Sequence, residues 1–377
     1  MLEAPGPLLT LIAFIAVLGP LVFVHEYGHY IVARWCGVKA ETFSIGFGHE
    51  LAGWTDRRGT RWKIGWLPLG GYVQFAGDMN PASAPDAEWR TLPPAERARA
   101  FPSKPVWQRA AIVFAGPAVN FLLALVLLSG LLVAHGEPFA PPVVDAILPG
   151  SAAAEAGLRS GDRMVAIDGN AVESFRDVQD QVFYRPGEPL ALRVARGGRE
   201  TDLRLTPRLR VERDRFGNEY RIGLLGVKGV EPEQRQVRWH QAPARAVAQT
   251  GEIISLTLKT LGQVITGRRS VNELGGPLRI AKISGEQVTL GISAFIGFVA
   301  LMSINLGFIN LLPIPMLDGG HLMFYAIEAI RRRPPSPRAQ EWAFRGGFAF
   351  VAGLMLLVTF NDLGSFGLWD GLARLVG

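Results

Sequence analysis

The chain has 377 residues, of which 49% are hydrophobic, and a single cysteine, Cys36. Its mean hydropathy of +0.20 is high for a soluble protein of this size, and one cysteine excludes an internal disulfide. The net charge is +6, but the basic residues are scattered and form no basic–aromatic platform, so we expect no nucleic-acid partner.

The first predicted element is an apolar helix from about Leu8 to Arg34, long enough to cross a bilayer core of about 30 Å. Its second half contains the pattern H-E-x-x-H. His25 and His29 share one helix face and can hold one zinc ion, while Glu26 can take a proton from a zinc-bound water. Ionisable residues in a membrane segment cost about 2.5–3.5 kcal/mol each on insertion scales, so this cluster predicts a metal site.

The next segment predicts a β-hairpin at about 61–76, with a turn over Pro68 to Gly71. Two interpretations remain open. The hairpin is either a small sheet on the membrane surface or a sheet edge near the metal that receives an extended substrate by strand addition, at Gly71, Tyr72 and Val73. The following stretch, Asp78 to Pro105, is predicted as a flexible surface loop.

A second spanning helix is predicted from about Val106 to Ala134. It carries Asn120, a polar side chain that needs a partner inside the bilayer. That partner is either a neighbouring helix or the substrate backbone near the metal.

The composition then turns soluble. Residues 156–169 read A-G-L-x-x-G-D-x-x-x-x-I-D-G, which resembles PDZ domains of the type associated with bacterial proteases, and we place a PDZ-like α+β domain at 137–210. Strands are predicted at Leu190–Ala195 and Thr201–Thr206. Such a domain either binds an extended peptide end or acts as a steric gate. Residues 211–290 are predicted as a linker and an amphipathic helix.

A third spanning helix is predicted from about Ile292, followed by two prolines and then Asp318. Broken backbone at membrane depth is tolerated where it lines a cavity or is buried in protein. Two histidines leave a zinc site short of a third protein ligand, and the carboxylate of Asp318 is the best candidate. His321 is the rival ligand.

A fourth span is predicted at Gly346 to Phe360, after an arginine-rich loop at 331–345. Short loops rich in arginine lie on the cytoplasmic side. Four spans then place the PDZ-like domain and both termini outside the cytoplasm. The membrane domain consists of an N-terminal half, 1–136, and a C-terminal half, 291–377.

The H-E-x-x-H helix, the PDZ-like insertion and the pattern N-x-x-P-x-P-x-x-D-G at 310–319 together resemble the site-two protease family, closest to its bacterial regulator-of-sigma-E branch in a single-PDZ form. This resemblance implies a polytopic α-helical membrane protein with four transmembrane helices, a membrane-associated β-hairpin and one PDZ-like domain. It implies zinc ligands, a catalytic acid/base and residues that shape the substrate path, which are respectively His25, His29 and Asp318; Glu26; and Asn310, Pro313 and Pro315. The hairpin at 61–76 would engage substrate as a strand.

The resemblance also implies an intramembrane zinc metalloendopeptidase of the bacterial inner membrane, with its PDZ-like domain in the periplasm and its active site toward the cytoplasm. Its expected substrates are single-span membrane proteins, such as an anti-sigma factor cleaved in envelope stress signalling. The alternatives are a membrane zinc peptidase that clears remnant signal peptides, and a non-catalytic PDZ-bearing scaffold.

Overall fold

The computed structural model describes residues 5–77, 91–213, 219–267 and 275–365. The chain divides into two compact units. One, the helical unit, consists of Met1–Leu131, Pro243–Lys259 and Gly275–Gly364; the other, the β-rich unit, consists of Leu132–Ala242, Thr260–Leu274 and Ser365–Gly377.

The helices in chain order are α1 Pro7–Trp35, α2 Pro94–Arg97, α3 Val106–His135, α4 Ala152–Glu155, α5 Phe175–Phe183, α6 Ala242–Ile265, α7 Pro277–Thr289, α8 Ile292–Asn310, α9 Asp318–Arg331 and α10 Pro337–Ser365. The strands are β1 Ala40–Thr55, β2 Arg61–Phe75, β3 Glu137–Phe139, β4 Val144–Ile147, β5 Arg163–Ile167, β6 Asn170–Ala171, β7 Leu190–Arg196, β8 Arg199–Leu205, β9 Arg208–Arg213, β10 Glu219–Leu224, β11 Val227–Gly229 and β12 Glu233–Arg235.

Within the described part of the chain, four helices are long and apolar enough to cross a membrane: α1, α3, α8 and residues Pro337–Gly364 of α10. They coincide with the four predicted spans. The fourth is longer than the predicted stretch because its first turns are polar and hydropathy alone does not mark them as helical.

The predicted turn of the hairpin is wrong. β2 runs without a break from Arg61 to Phe75, and the turn that joins it to β1 lies at 56–60. There the Asp56 carboxylate accepts hydrogen bonds from the backbone N–H groups of Arg58, at 2.8 Å, and Thr60, at 3.0 Å, as Asp does in tight turns. At the predicted turn, Gly70 has a φ of 100°, which lets β2 bend without ending.

Both strands are bent, so that each pairs more than once. Residues 42–45 of β1 pair with 61–64 as well as with 71–74, and 61–65 also pair with 50–55. Residues 71–75 therefore form an edge segment whose recorded partner is 40–45. Phe43 stacks on Trp62, with ring centroids 4.3 Å apart, and meets Tyr30 of α1 at 5.9 Å, which fixes this sheet against the first helix.

The predicted surface loop, Asp78 to Pro105, lies partly outside the described residues. In its described end, Phe101 is buried and stacks on Phe75 with ring centroids 5.5 Å apart. That part of the chain is therefore packed against the sheet.

The structure also corrects the expectation that Asp318 lies at the end of the third helix. α8 ends at Asn310, and Asp318 begins a separate helix, α9. The intervening turn contains Pro313 and Pro315, which lack an N–H donor and disfavour helical conformation in the preceding residue. Asp318 thus occupies the first turn of a new helix, where a carboxylate is favoured by the helix dipole.

In the β-rich unit, four strands form a sheet in the order β6-β5-β7-β8. The predicted strands near 190–195 and 201–206 are β7 and β8. Helix α5 begins with a capping box between Ser174 and Asp177 and packs Val178 and Val182 against Leu192 and other buried residues. The segment predicted as a linker, 211–239, contributes further short strands.

Helix α7 was not predicted, because its N-terminal partner is remote in sequence. The backbone N–H groups of Gly276 and Arg279 donate to the Asp362 carboxylate of α10, at 3.2 and 3.0 Å. Arg279 is 6% exposed and Asp362 is 0% exposed. An acidic side chain at a helix N-terminus satisfies donors that the helix itself leaves unpaired.

We therefore predict that Asp362→Ala destabilises the protein by about 3 kcal/mol or more, because it removes one partner of a buried charged pair together with a helix cap. Thermal unfolding in detergent measures this. The control is Glu341→Ala, which breaks an exposed ion pair with Arg345 in the same helix and should change the midpoint little. Equal midpoints for the two variants would contradict the prediction.

Candidate active site

Three side-chain atoms converge in the helical unit. His25 Nε2 lies 3.2 Å from His29 Nε2 and 3.2 Å from Asp318 Oδ2, and His29 Nε2 lies 3.6 Å from the same oxygen. Donor atoms about 2.0–2.1 Å from a tetrahedral zinc ion are separated by about 3.3–3.4 Å, so the spacing fits this metal. Moreover, Asp318 Oδ2 is buried and meets no well-aligned hydrogen-bond donor among the described residues.

Glycines allow the helices to approach this point. A Cβ at Gly116 of α3 would collide with the His29 imidazole, and one at Gly28 of α1 would lie 2.6 Å from the backbone oxygen of Ala115. On α9, a Cβ at Gly320 would lie 2.5 Å from the carbonyl oxygen of Ile314. Small residues at such contacts let membrane helices pack closely. The sequence shows these glycines but not which side chains they face.

The second nitrogen of each imidazole also has a neighbour. His29 Nδ1 lies 2.9 Å from the backbone oxygen of Ile112, and His25 Nδ1 lies 3.1 Å from the side-chain amide of Asn120. Asn120 is fully buried. Of the two partners considered from sequence, a neighbouring helix or a substrate backbone, the structure shows a neighbouring helix, α1.

Glu26 lies against the edge segment of the sheet. Its carboxylate accepts a hydrogen bond from the backbone N–H of Val73. A Cβ at Gly71 would lie 3.0 Å from Glu26 Cγ and 2.8 Å from Val22. The candidate base is therefore held by the strand that was predicted to engage a substrate.

These groups line one cavity of about 380 Å³. It brings together most of the residues singled out from the sequence, which are His25, Glu26, His29, Gly71, Tyr72, Val73, Asn310 and Asp318. The amide Nδ2 of Asn310 lies 3.4 Å from His25 Nε2. Pro313 and Pro315 do not line this cavity; they belong to the turn that positions Asp318.

His321, the rival ligand, also lines the cavity, but its nitrogens are not part of the cluster of three. Its ring packs against Phe344, with centroids 5.0 Å apart. Burial lowers the pKa of His321 to about 4, so the imidazole is neutral near neutral pH. By distance, Asp318 is the better third donor.

Comparison with known proteins follows the whole length of the chain. It is 46% identical over 360 residues to a protein named as a zinc metalloprotease in Agrobacterium fabrum, which covers 94% of this chain and 96% of that protein. It is 37% identical over 395 residues to the metalloprotease MmpA of Caulobacter vibrioides, covering 98% and 99% of the two chains. A solved PDZ domain from Listeria monocytogenes matches 25% of this chain and 92% of its own at 20% identity, with a TM-score of 0.19.

Residues 13–354 match Peptidase family M50. The match spans both halves of the helical unit, and relatives named as zinc metalloproteases cover nearly the full chain. The chain therefore belongs to Peptidase family M50, the site-two protease family of zinc metalloproteases, and zinc is its cofactor.

Proposed function

We propose that this zinc metalloprotease cleaves peptide bonds within or near the transmembrane segments of membrane proteins. In this proposal His25, His29 and Asp318 hold the zinc ion and Glu26 is the catalytic acid/base. The observation that carries the proposal is the convergence of three zinc-type donors and Glu26 in one cavity, beside a helix apolar enough to span a membrane.

A zinc ion bound by these side chains supplies Lewis-acid polarisation of a peptide carbonyl and makes the attacking water more acidic. Glu26 then takes the proton of that water and delivers it to the leaving amine. The Val73 N–H group keeps the Glu26 carboxylate pointed into the cavity. His25 and His29 serve as ligands in this scheme and do not transfer protons.

The substrate must be extended where it is cut, because the hydrogen bonds of a helix shield its carbonyl groups. We infer that the edge segment 71–75 receives the unwound substrate as an added strand. Its recorded partner lies on one side, at 40–45, and Gly71, Tyr72 and Val73 line the cavity. Asn310, near His25, is placed to orient the substrate backbone by its amide.

We further propose that the arginine-rich loop 331–345 is cytoplasmic. The PDZ-like domain at 137–210 then lies in the periplasm of a bacterial inner membrane, and the active site faces the cytoplasmic half of the bilayer. The substrates of this arrangement are single-span membrane proteins, such as an anti-sigma factor. Cleavage of remnant signal peptides after secretion is the alternative, and the position of the cut distinguishes the two.

We predict that Glu26→Gln binds zinc normally but cleaves at least about 100-fold more slowly, because glutamine accepts the Val73 hydrogen bond but cannot carry the proton. The assay uses purified protein in detergent with a tagged single-span membrane protein, with and without a zinc chelator. Mass spectrometry of the products locates the cut. Undiminished cleavage by the variant would exclude Glu26 as the acid/base, and a cut that occurs only in signal-peptide remnants would favour the alternative.

We predict that Asp318→Ala lowers the zinc content of the purified protein, whereas His321→Ala leaves it near one ion per chain. Asp318 Oδ2 lies within 3.6 Å of both imidazole nitrogens, while His321 packs against Phe344. Elemental analysis after dialysis against a weak chelator gives the comparison. The opposite result would transfer the third-ligand role to His321.

We predict that Val73→Pro lowers kcat by about 10-fold or more at unchanged zinc content, because proline removes the N–H group that holds Glu26, and hydrogen bonds to charged groups contribute about 1.5–3 kcal/mol. Proline is tolerated in edge strands where its nitrogen faces away from the ladder. The matched control is Val73→Ala, which keeps the N–H group. If both variants cleave at the same rate, this hydrogen bond does not position the base.

A further inference from the structure

The inference concerns the proton on His25 and rests on the proposed ligand set. His25 Nε2 points into the cluster, 3.2 Å from both His29 Nε2 and Asp318 Oδ2. A neutral imidazole that binds a metal through Nε2 carries its proton on Nδ1. Nδ1 of His25 must therefore donate a hydrogen bond, and it lies deep between α1 and α3, where an unpaired donor is costly.

The neighbour of this nitrogen is the side-chain amide of Asn120. As placed, Asn120 Nδ2 lies 3.1 Å from His25 Nδ1, which sets two donors against each other. Meanwhile Asn120 Oδ1 is buried without a hydrogen-bond partner among the described residues. Amide oxygen and nitrogen have nearly the same shape, so their assignment follows from hydrogen bonding. A half-turn of the amide puts the oxygen against His25 Nδ1 and removes both conflicts.

The second histidine shows the same arrangement without ambiguity. His29 also points Nε2 into the cluster, and its Nδ1 lies 2.9 Å from the backbone carbonyl oxygen of Ile112. Ile112 and Asn120 both belong to α3. One helix therefore presents an oxygen acceptor to each of the two imidazoles, a backbone carbonyl to one and a side-chain carbonyl to the other.

We propose that Asn120 is a positioning residue for the metal: its side-chain oxygen accepts the His25 Nδ1 proton and so holds the ring with Nε2 toward zinc. Asn120 is well placed for this role because its own backbone is fixed. Ser303 of α8 donates its hydroxyl hydrogen to the backbone oxygen of Asn120, at 2.8 Å, and both residues are 0% exposed. Hydrogen bonds thus run from α8 through α3 to α1.

The test compares substitutions that separate acceptance of a hydrogen bond from packing. Asn120→Asp keeps an acceptor of the same shape, whereas Asn120→Leu keeps the volume and removes the acceptor. Zinc affinity is measured on the full-length protein in detergent by competition with a chromophoric chelator. Thermal unfolding of the zinc-free forms monitors packing, and Asn120→Ala provides a second variant without an acceptor.

We expect Asn120→Leu and Asn120→Ala to bind zinc about 10–100-fold more weakly, the usual loss when a partner of a metal-bound histidine is removed. Asn120→Asp should stay within a few-fold of the wild type. A residue that only packs helices would give the opposite order, since a buried carboxylate disturbs packing more than leucine does. Wild-type zinc affinity in Asn120→Leu and Asn120→Ala, or an equal loss in Asn120→Asp, would overturn the proposal.

Two controls separate this proposal from neighbouring explanations. Ser303→Ala removes the α8–α3 hydrogen bond without touching the acceptor, and zinc affinity should stay within a few-fold of the wild type. A loss as large as that of Asn120→Leu would show that loosened helix packing is the cause and would overturn the proposal. His25→Ala tests the ligand set itself: unchanged zinc affinity there would remove His25 as a ligand, and this inference with it.

Discussion

Two imidazoles and a carboxylate share one point inside an apolar helical unit, and much of that unit is arranged to permit it. Each such group costs several kcal/mol to bury alone. A shared metal ion compensates for this cost, because Asp318 supplies charge while His25 and His29 supply neutral donors. The structure keeps these atoms 3.2–3.6 Å apart by placing glycines where the helices meet. α3 adds an oxygen to one imidazole through Ile112.

The same constraint connects the metal site to the sheet. The hydrogen bond from Val73 to Glu26 and the contact of Gly71 with Glu26 join the acid/base to the edge segment. In the proposed mechanism this segment also pairs with the substrate. Substrate alignment and orientation of the base therefore depend on one short stretch of backbone, so a change there should alter catalysis before it alters metal binding.

Membership in Peptidase family M50 accounts for the zinc and for peptide hydrolysis, while the arrangement around the site is a matter of this chain's own contacts. Asp318 reaches the imidazoles because two prolines end α8 and allow α9 to begin afresh. α7 in turn is capped by Asp362, from a helix more than eighty residues later in the chain. The second half of the helical unit is therefore organised by breaks and caps as much as by apolar surface.

By itself, the sequence determined the four spanning helices, the shared face of His25 and His29, and Asp318 as the carboxylate to expect beside them. These features depend on hydropathy and on residue spacing within one element, which are local. Tertiary structure decided the position of the hairpin turn, the separate helix that begins at Asp318, the contact of Val73 with Glu26 and the pairing of Asn120 with His25. Those contacts join residues as far apart as 95 positions in the chain, and no local pattern specifies which distant groups come together when helices and strands pack.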